Sequence, residues 1–271
     1  MTPETTIYPG GRLTILESVD STNNYAMAAL RTGLATQGDA FLAMAQTQGR
    51  GQHGKSWITE PGTNLIISLI LRPARLFLHQ QPLFNCAVAL GVYDFFNFYT
   101  GSDCCIKWPN DLYWRDRKAA GILVENIFGR EADSAAPDGP AQWQWAVAGM
   151  GININQVSFP DQAGRPVSLR QITGKTYELV PLATRLCSVV QQRVDALDDP
   201  DLLLAAYNER LYKRGEIVLF RKESRVFEAR VEGVDRQGKL ELDTGLKELF
   251  STGEVEWVLR GGGPGGSTDG R

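Results

Sequence analysis

Residues 46–57 of the chain read QTQGRGQHGKSW and form the stretch from which the fold can be worked out. Three glycines stand here among the cationic side chains of Arg50 and Lys55. The preceding residues, 41–45, are apolar and predict a buried strand. A glycine-rich cationic loop offers exposed backbone N–H groups and positive charge to a polyanion such as a nucleotide phosphate. We therefore expect an anion site where this strand ends.

The same loop matches the pattern G-x-x-x-x-G-K-[ST] of P-loop NTPases over residues 49–56. In those proteins a helix begins at the end of the loop, so that its N-terminus faces the phosphates. Here Pro61 and Gly62 predict a turn instead, and strand-like residues follow at once. The sequence therefore disfavours a P-loop, and a solvated glycine-rich turn is the other interpretation of the loop alone.

The segments on both sides of the loop predict an α+β fold with a mixed β-sheet and helices. The predicted strands are 13–19, 41–45, 63–71, 105–114, 118–125 and 145–148, and the predicted helices are 25–30, 82–99, 181–197 and 200–212. Pro109 is expected to kink residues 107–111, because proline breaks a strand ladder. A hairpin turn is expected at 115–117, a surface loop at 129–142, and the pair Gly149 and Gly151 is expected to end the last strand.

After residue 215 the pattern changes to short alternating runs separated by turns. The runs are 216–220, 226–234, 239–242, 248–250 and 255–259, and they predict a small β-barrel. We therefore divide the chain into a larger domain at 1–213, a barrel at 214–260 and a tail at 261–271. The tail is rich in glycine, and its composition predicts disorder.

The composition excludes several classes of protein. With 271 residues, 43% hydrophobic and 22% charged, the chain is typical of a soluble globular protein, and its net charge of −3 argues against a general nucleic-acid binder. No apolar run reaches the roughly 20 residues of a membrane span. The first residues do not resemble a signal peptide, so we expect a cytoplasmic protein. The four cysteines and two histidines lack the spacing of a zinc site, and no Ser-His-Asp arrangement is evident.

Polar segments and cations fall at the predicted strand ends. The segments are 21–24, 46–57, 107–111 and 149–155, and the cations are Arg50, Lys55, Lys107 and Lys118. The first segment supplies more hydroxyl and amide groups than one helix cap needs, so the surplus is available to a polar ligand. The chemistry that this set supports is electrostatic. It positions and neutralises phosphate charge, which is the main requirement of phosphoryl or nucleotidyl transfer.

Four motifs together resemble the biotin protein ligases, that is, the biotin–[acetyl-CoA carboxylase] ligases. They are DSTN at 20–23, QTQGRGQHGKSW at 46–57, KWPND at 107–111 and KAAGILVE at 118–125. The similarity extends over about residues 13–258 and is greatest to short bacterial members without an N-terminal DNA-binding domain. It implies a biotin/lipoate ligase-like catalytic domain followed by a small C-terminal SH3-like β-barrel.

The resemblance implies a two-step reaction. The carboxylate of biotin attacks the α-phosphate of ATP, which gives biotinyl-5′-AMP and pyrophosphate. A lysine of a biotin carboxyl carrier domain, part of a biotin-dependent carboxylase, then takes the biotinyl group. Mg²⁺ would be carried on the phosphates of ATP, and no metal held by the protein is expected. Neither DNA nor a membrane is an expected partner, and a homodimer is left open.

The resemblance also implies residue roles, by position in these motifs. Lys118, Arg50 and Lys107 would be catalytic. The biotin-binding set would be Ser21, Thr22, Asn23, Gln46, Arg50, Gly51, Gln52, Lys118 and Gly121. The ATP-binding set would be Arg50, Lys55, Trp57, Asn110, Asp111 and Asn153. Within these sets Trp57 would pack on adenine, and Lys118 would contact both the biotin carboxylate and a phosphate oxygen.

Two positions depart from the family pattern. Gln52 stands where a second arginine is usual, and Lys55 stands where an arginine is frequent. Gln52 supplies a hydrogen bond without a charge, so either the adenylate is held more loosely or Lys55 compensates.

Two alternative functions stay open. One is a lipoate–protein ligase of the same fold, although the polar segment 21–24 favours a ureido head over the apolar dithiolane of lipoate. The other is a non-catalytic module that binds biotin or an adenylate. The presence of Arg50, Lys107 and Lys118 together argues against it, because binding biotin alone does not need three cations.

Overall fold

A computed structural model describes residues 3–73, 76–129, 142–160 and 165–258. The strands are β1 (Glu4–Tyr8), β2 (Gly11–Val19), β3 (Ala40–Gln46), β4 (Leu65–Leu71), β5 (Cys104–Lys107), β6 (Asp111–Trp114), β7 (Arg117–Gly129), β8 (Gln142–Ile152), β9 (Ile217–Lys222), β10 (Arg225–Val234), β11 (Leu240–Asp243), β12 (Lys247–Phe250) and β13 (Glu256–Val258). The helices are α1 (Thr22–Arg31), α2 (Gln81–Thr100), α3 (Leu169–Thr173), α4 (Leu179–Asp195) and α5 (Pro200–Glu209).

The first eight strands form one mixed sheet in the order β1-β2-β3-β4-β8-β7-β6-β5. β2 and β3 run parallel and are joined by the crossover helix α1, whereas the other neighbours are antiparallel. The last five strands form an antiparallel sheet in the order β12-β11-β10-β9-β13. The predicted α+β class, a mixed sheet with helices followed by a small barrel, is confirmed.

The central strand β4 explains why helices cover the sheet on both faces. It reads LIISLIL, and all seven of its residues are buried. A strand that is apolar on both faces must be covered on both. Helix α1 packs on one face, where Leu16, Phe41 and Ile70 belong to its core. Helices α2 and α4 contribute to the larger core on the other face.

Helices α2 and α4 approach each other closely at Gly91, where a Cβ atom would lie 2.7 Å from the Cα atom of Val190. Overpacking costs about 1–3 kcal/mol, and a clash with backbone belongs at the upper end, whereas helix propensity returns about 1 kcal/mol. We therefore expect Gly91→Ala to lower the free energy of unfolding by about 2 kcal/mol. Urea denaturation measures this change, with Gln192→Ala at an exposed position of α4 as the control. Unchanged stability of Gly91→Ala would contradict the tight packing.

The barrel is fixed to the larger domain by hydrogen bonds. Asn208, in α5, both donates to and accepts from the backbone of Val234, at 3.0 and 2.7 Å. The indole Nε1 of Trp108 donates to the carbonyl of Gly238 at 2.9 Å. Trp108 lies in the short connection between β5 and β6, so the barrel holds that connection from one side.

Most predicted elements are confirmed, with ends shifted by a few residues. Pro109 interrupts the strand pattern as expected, because β5 ends at Lys107 and β6 begins at Asp111. The prediction that Gly149 and Gly151 end a strand is wrong. Strand β8 continues to Ile152, because both glycines pair with β4 on one side and with β7 on the other.

Two elements were not predicted, namely β1, which precedes the expected first strand, and the short helix α3. Residues 130–141 of the predicted surface loop and the predicted tail at 261–271 lie outside the described residues. The domain division between residues 213 and 214 stays a prediction. Within the described ranges, no helix is both long enough and apolar enough to cross a membrane.

Candidate active site

A cleft of about 730 Å³ opens where several strands of the large sheet end, and the barrel closes one of its sides. Every residue in the predicted biotin, ATP and catalytic sets lines this cleft: Ser21, Thr22, Asn23, Gln46, Arg50, Gly51, Gln52, Lys55, Trp57, Lys107, Asn110, Asp111, Lys118, Gly121 and Asn153. The four polar segments are brought together because their strands end at the same edge. Their roles toward a ligand stay predictions.

One end of the cleft is polar and buried. Ser21, Thr22 and Asn23 are only 3–4% exposed. Thr22 donates to Gln46 Oε1 through its backbone N–H at 2.7 Å and through its hydroxyl at 3.1 Å. Ser21 precedes α1, but its side chain makes no capping hydrogen bond. The cluster is therefore arranged around the cleft rather than around the helix N-terminus, and it suits a head group rich in donors and acceptors.

Glycines make room for two of the side chains in the cleft. A Cβ atom at Gly149 would overlap the side-chain oxygen of Asn23, and one at Gly151 would overlap the indole of Trp57. At Gly121 a Cβ atom would lie 2.9 Å from the ring of Trp57. The Trp57 indole thus lies across the glycines of β7 and β8, and its buried Nε1 has no hydrogen-bond partner among the described residues.

The glycine-rich loop folds back on itself without a helix at its end. The backbone N–H of Gly51 donates to the carbonyl of Lys55 at 2.6 Å, and that of Trp57 donates to the carbonyl of Gly49 at 2.9 Å. Gln52 begins a single 3-10 turn that ends at Gly54. The loop therefore lacks the helix that a P-loop requires, in agreement with the turn predicted at Pro61.

Arg50 projects from this loop to acceptors on other elements. Its Nη2 atom donates to Glu125 Oε2 at 2.8 Å and to Asn24 Oδ1 at 2.7 Å. The Arg50 side chain is 42% exposed, whereas that of Glu125 is 27% exposed. The guanidinium is therefore oriented by the protein and is still open to an anion in the cleft.

Two lysines approach the cleft, Lys107 from β5 and Lys118 from β7, on either side of β6. Lys118 Nζ lies 2.7 Å from Asp111 Oδ1 and 5.4 Å from the centre of the Trp57 ring. Lys107 Nζ lies 5.0 Å from the centre of the Tyr113 ring and 5.8 Å from that of Trp257. These ammonium groups and the guanidinium of Arg50 can neutralise an anionic group that enters the cleft.

The surroundings of Lys107 lower the pKa of its ammonium group to about 8. Burial is the largest cause, because it disfavours the charged form. The Asp111 carboxylate opposes this change, whereas the charges of Lys118 and Lys55 add to it. A bound anion would relieve that repulsion, so the cleft is electrostatically suited to one.

Two predicted nucleotide-side amides also support the walls of the cleft. Asn110 Nδ2 donates to the carbonyl of Ile122 at 2.6 Å. Asn153 Nδ2 donates to the carbonyls of Lys118 and Val167, at 3.3 and 3.2 Å. Asn153 is 5% exposed. Part of the function of both side chains is therefore to hold β7 in place.

Sequence analysis missed three residues of the site. Ser68 is fully buried and bonds to Asn23, and a serine inside the apolar run LIISLIL was a signal that could have revealed it. Glu125 was quoted in a motif but was given no role. Trp257 lines the cleft together with Thr252, Gly253, Val255 and Glu256 of the barrel. No local pattern indicates that the barrel reaches the site.

The chain is similar to known proteins both in sequence and in structure. The model of the biotin/lipoate A/B protein ligase family matches residues 15–136. The chain is 30% identical over 237 residues to the biotin--[acetyl-CoA-carboxylase] ligase of Paracoccus denitrificans, and the match covers 83% of this chain and 92% of that protein.

Other relatives are much longer than the region in which they match this chain. The chain is 35% identical over 149 residues to the bifunctional ligase/repressor BirA of Escherichia coli (strain K12). This match covers 54% of this chain and 41% of that protein. BirA of Salmonella typhimurium is likewise matched over 41% of its length. The biotin protein ligase from Aquifex aeolicus in complex with biotin and ATP superimposes with a TM-score of 0.72 and 22% identity, over 91% of this chain and 99% of that chain. At that identity the likeness concerns the fold.

Proposed function

The chain belongs to the biotin protein ligase family, and we propose that it activates biotin with ATP to biotinyl-5′-AMP and transfers the biotinyl group to a lysine of a biotin carboxyl carrier protein. The observation that carries this proposal is a single cleft with a buried polar end and a cationic end. Thr22 and Asn23 lie at the polar end, and Lys118 and Arg50 lie toward the anion-binding loop. Biotin has a ureido head and a carboxylate tail, and the two ends of the cleft match them.

The residues of the chain act by position and charge in both steps. In the first step a carboxylate oxygen of biotin forms a bond to the α-phosphorus of ATP, and the bond to pyrophosphate breaks. Lys118 and Arg50 offset the negative charge that gathers where these two anions meet. In the second step the neutral carrier amine attacks the acyl carbon, AMP leaves with the bonding electrons, and the nitrogen releases one proton to water. Neither step needs a nucleophile from the enzyme.

The donor set of the cleft fits Mg²⁺ delivered with ATP. Among the described residues, no group of three or more His, Cys, Asp or Glu side chains could hold a metal ion. Asp111 is paired with Lys118. Mg²⁺ is commonly held by substrate phosphates, waters and one or two carboxylates, and when bound with ATP it would neutralise phosphate charge.

Gly149→Ala is expected to weaken biotin binding. The added methyl group overlaps the Asn23 side chain, so that a buried amide loses hydrogen bonds. An unsatisfied buried polar group costs about 1–3 kcal/mol, which corresponds to about a fivefold to 150-fold rise in Kd. Calorimetric titration with biotin measures this effect, and titration with nucleotide on the same variant is the control. Equal losses for biotin and nucleotide would point to general unfolding instead.

Transfer to a carrier tests the proposed function directly. Purified protein is incubated with labelled biotin, Mg-ATP and a biotin carboxyl carrier domain, and in parallel with labelled lipoate and a lipoyl domain. We expect label on the carrier lysine from biotin and none from lipoate. Transfer of lipoate instead would favour the alternative ligase. Biotin binding without ATP–pyrophosphate exchange would favour a non-catalytic binding module.

Further parts of the proposal concern partners and location. The relative from Paracoccus denitrificans is described as acting on acetyl-CoA carboxylase, which supports the carrier domain of a biotin-dependent carboxylase as the protein substrate. The use of ATP supports action in the cytoplasm. The absence of DNA binding stays a prediction, and a homodimer stays open. Footprinting and sedimentation test these two points.

A further inference from the structure

Glu125 has no part in the reaction proposed above, yet it contacts both the buried polar cluster and the glycine-rich loop. Its Oε2 atom accepts hydrogen bonds from Asn23 Nδ2 at 2.7 Å and from Arg50 Nη2 at 2.8 Å. Asn23 belongs to the buried polar end, and Arg50 belongs to the glycine-rich loop. One carboxylate oxygen therefore contacts residues of both.

On the buried side, Asn23 is fixed. The residue is 3% exposed, and its Oδ1 atom accepts from the hydroxyl of Ser68 at 2.6 Å. That hydroxyl also lies 2.8 Å from Thr22 Oγ1. A buried amide whose oxygen and nitrogen are both bonded has one favourable orientation. Asn23 thus holds the Glu125 carboxylate in a defined place.

On the loop side, Arg50 depends on its acceptors for its direction. Its Nη2 atom bonds both Glu125 and Asn24 Oδ1. The guanidinium is a rigid planar fork, so fixing one nitrogen with two acceptors orients the whole group. A half-exposed ion pair such as this one contributes about 0–1 kcal/mol to stability, so stability alone gives little reason for the arrangement.

We propose that Glu125 is a positioning residue of this site, which orients Arg50 over the cleft and ties that orientation to Asn23 at the buried polar end. This inference rests on the proposed function, because Arg50 needs an anionic substrate to act on. Glu125 itself touches no reacting atom. Its effect on the rate therefore passes through Arg50, and this distinguishes it from a residue that merely maintains the fold.

A double-mutant cycle in biotin-dependent ATP–pyrophosphate exchange tests the inference. The proteins are wild type, Glu125→Gln, Arg50→Ala and the double variant, with Glu17→Gln as an exposed control that removes the same charge. We expect Glu125→Gln to lower kcat about tenfold in the wild-type background and not at all in the Arg50→Ala background. Glu17→Gln should match wild type. Equal losses in both backgrounds, or wild-type kcat for Glu125→Gln, would overturn the inference.

A second measurement does not depend on catalysis. Nuclear magnetic resonance of protein labelled with ¹⁵N-arginine reports how fast the Arg50 guanidinium rotates. Rotation is expected to be faster in Glu125→Gln than in wild type, and unchanged rotation would contradict the role of Glu125. Absence of both biotin binding and exchange in the wild-type protein would contradict the proposed function instead. The two failures are therefore distinguishable.

Discussion

Replacing Lys118 with alanine is expected to slow biotin-dependent ATP–pyrophosphate exchange by about 10²- to 10³-fold, the usual cost of removing one donor that stabilises charge in a transition state. Lys118 Nζ lies in the cleft beside Asp111 and above Trp57. In the proposed reaction its ammonium group lies where the biotin carboxylate approaches a phosphate. Its charge offsets the repulsion between two anions.

The controls for this prediction separate charge from structure. Lys118→Ala also leaves Asp111 without its partner, so Lys118→Gln is included, since glutamine can still donate to that carboxylate but brings no charge. Lys175→Ala changes an exposed lysine outside the cleft and should behave like wild type. Near wild-type exchange by both Lys118 variants would remove this residue from the mechanism.

Much of the site could be predicted because the signals are local and their residues lie at strand ends. The spacing of glycines and cations in 46–57 indicated an anion loop, and Pro61 with Gly62 excluded the helix of a P-loop. Motifs far apart in the chain meet in one cleft because the sheet brings the ends of their strands together. The resemblance then named which side chains to expect there, and all of them line the cleft.

What escaped prediction depends on contacts between distant residues. Gly149 and Gly151 looked like strand breakers, but their missing side chains make room for Asn23 and Trp57. Strand β1 has only one fully buried side chain, Tyr8, so its pattern is weak. The approach of Trp257 to the cleft follows from docking of the barrel through Trp108, and no periodicity encodes that contact.

The pH dependence of the reaction is expected to report the charge of Lys107. Burial among aromatic rings lowers the pKa of its ammonium group to about 8, so the group is charged below that pH and loses its proton above it. Because kcat/KM reports ionisations of the free enzyme, kcat/KM for ATP should fall about tenfold per pH unit above pH 8. In the unfolded chain Lys107 has its ordinary pKa of 10.5, so between pH 8 and 10.5 the unfolded chain binds more protons than the folded chain. This group therefore makes the free energy of unfolding rise with pH in that window.

Three variants decide whether Lys107 causes that fall. Lys107→Arg stays protonated at all these pH values, and should abolish the alkaline fall while keeping measurable activity. Lys107→Met should lower kcat/KM about a hundredfold at pH 7, by loss of one stabilising charge, and should also abolish the fall. Trp257→Leu removes an aromatic face that shields the ammonium group, and it also removes a cation–π contact at 5.8 Å that favours the charged form. Burial is the largest cause of the lowered pKa of Lys107, so the access of water should dominate and the midpoint of the fall should move upward. A midpoint that stays near pH 8 in Lys107→Arg would assign the titration to another group. If the fall disappears in both Lys107 variants and its midpoint moves upward in Trp257→Leu, then the barrel sets the charge of a residue in the larger domain.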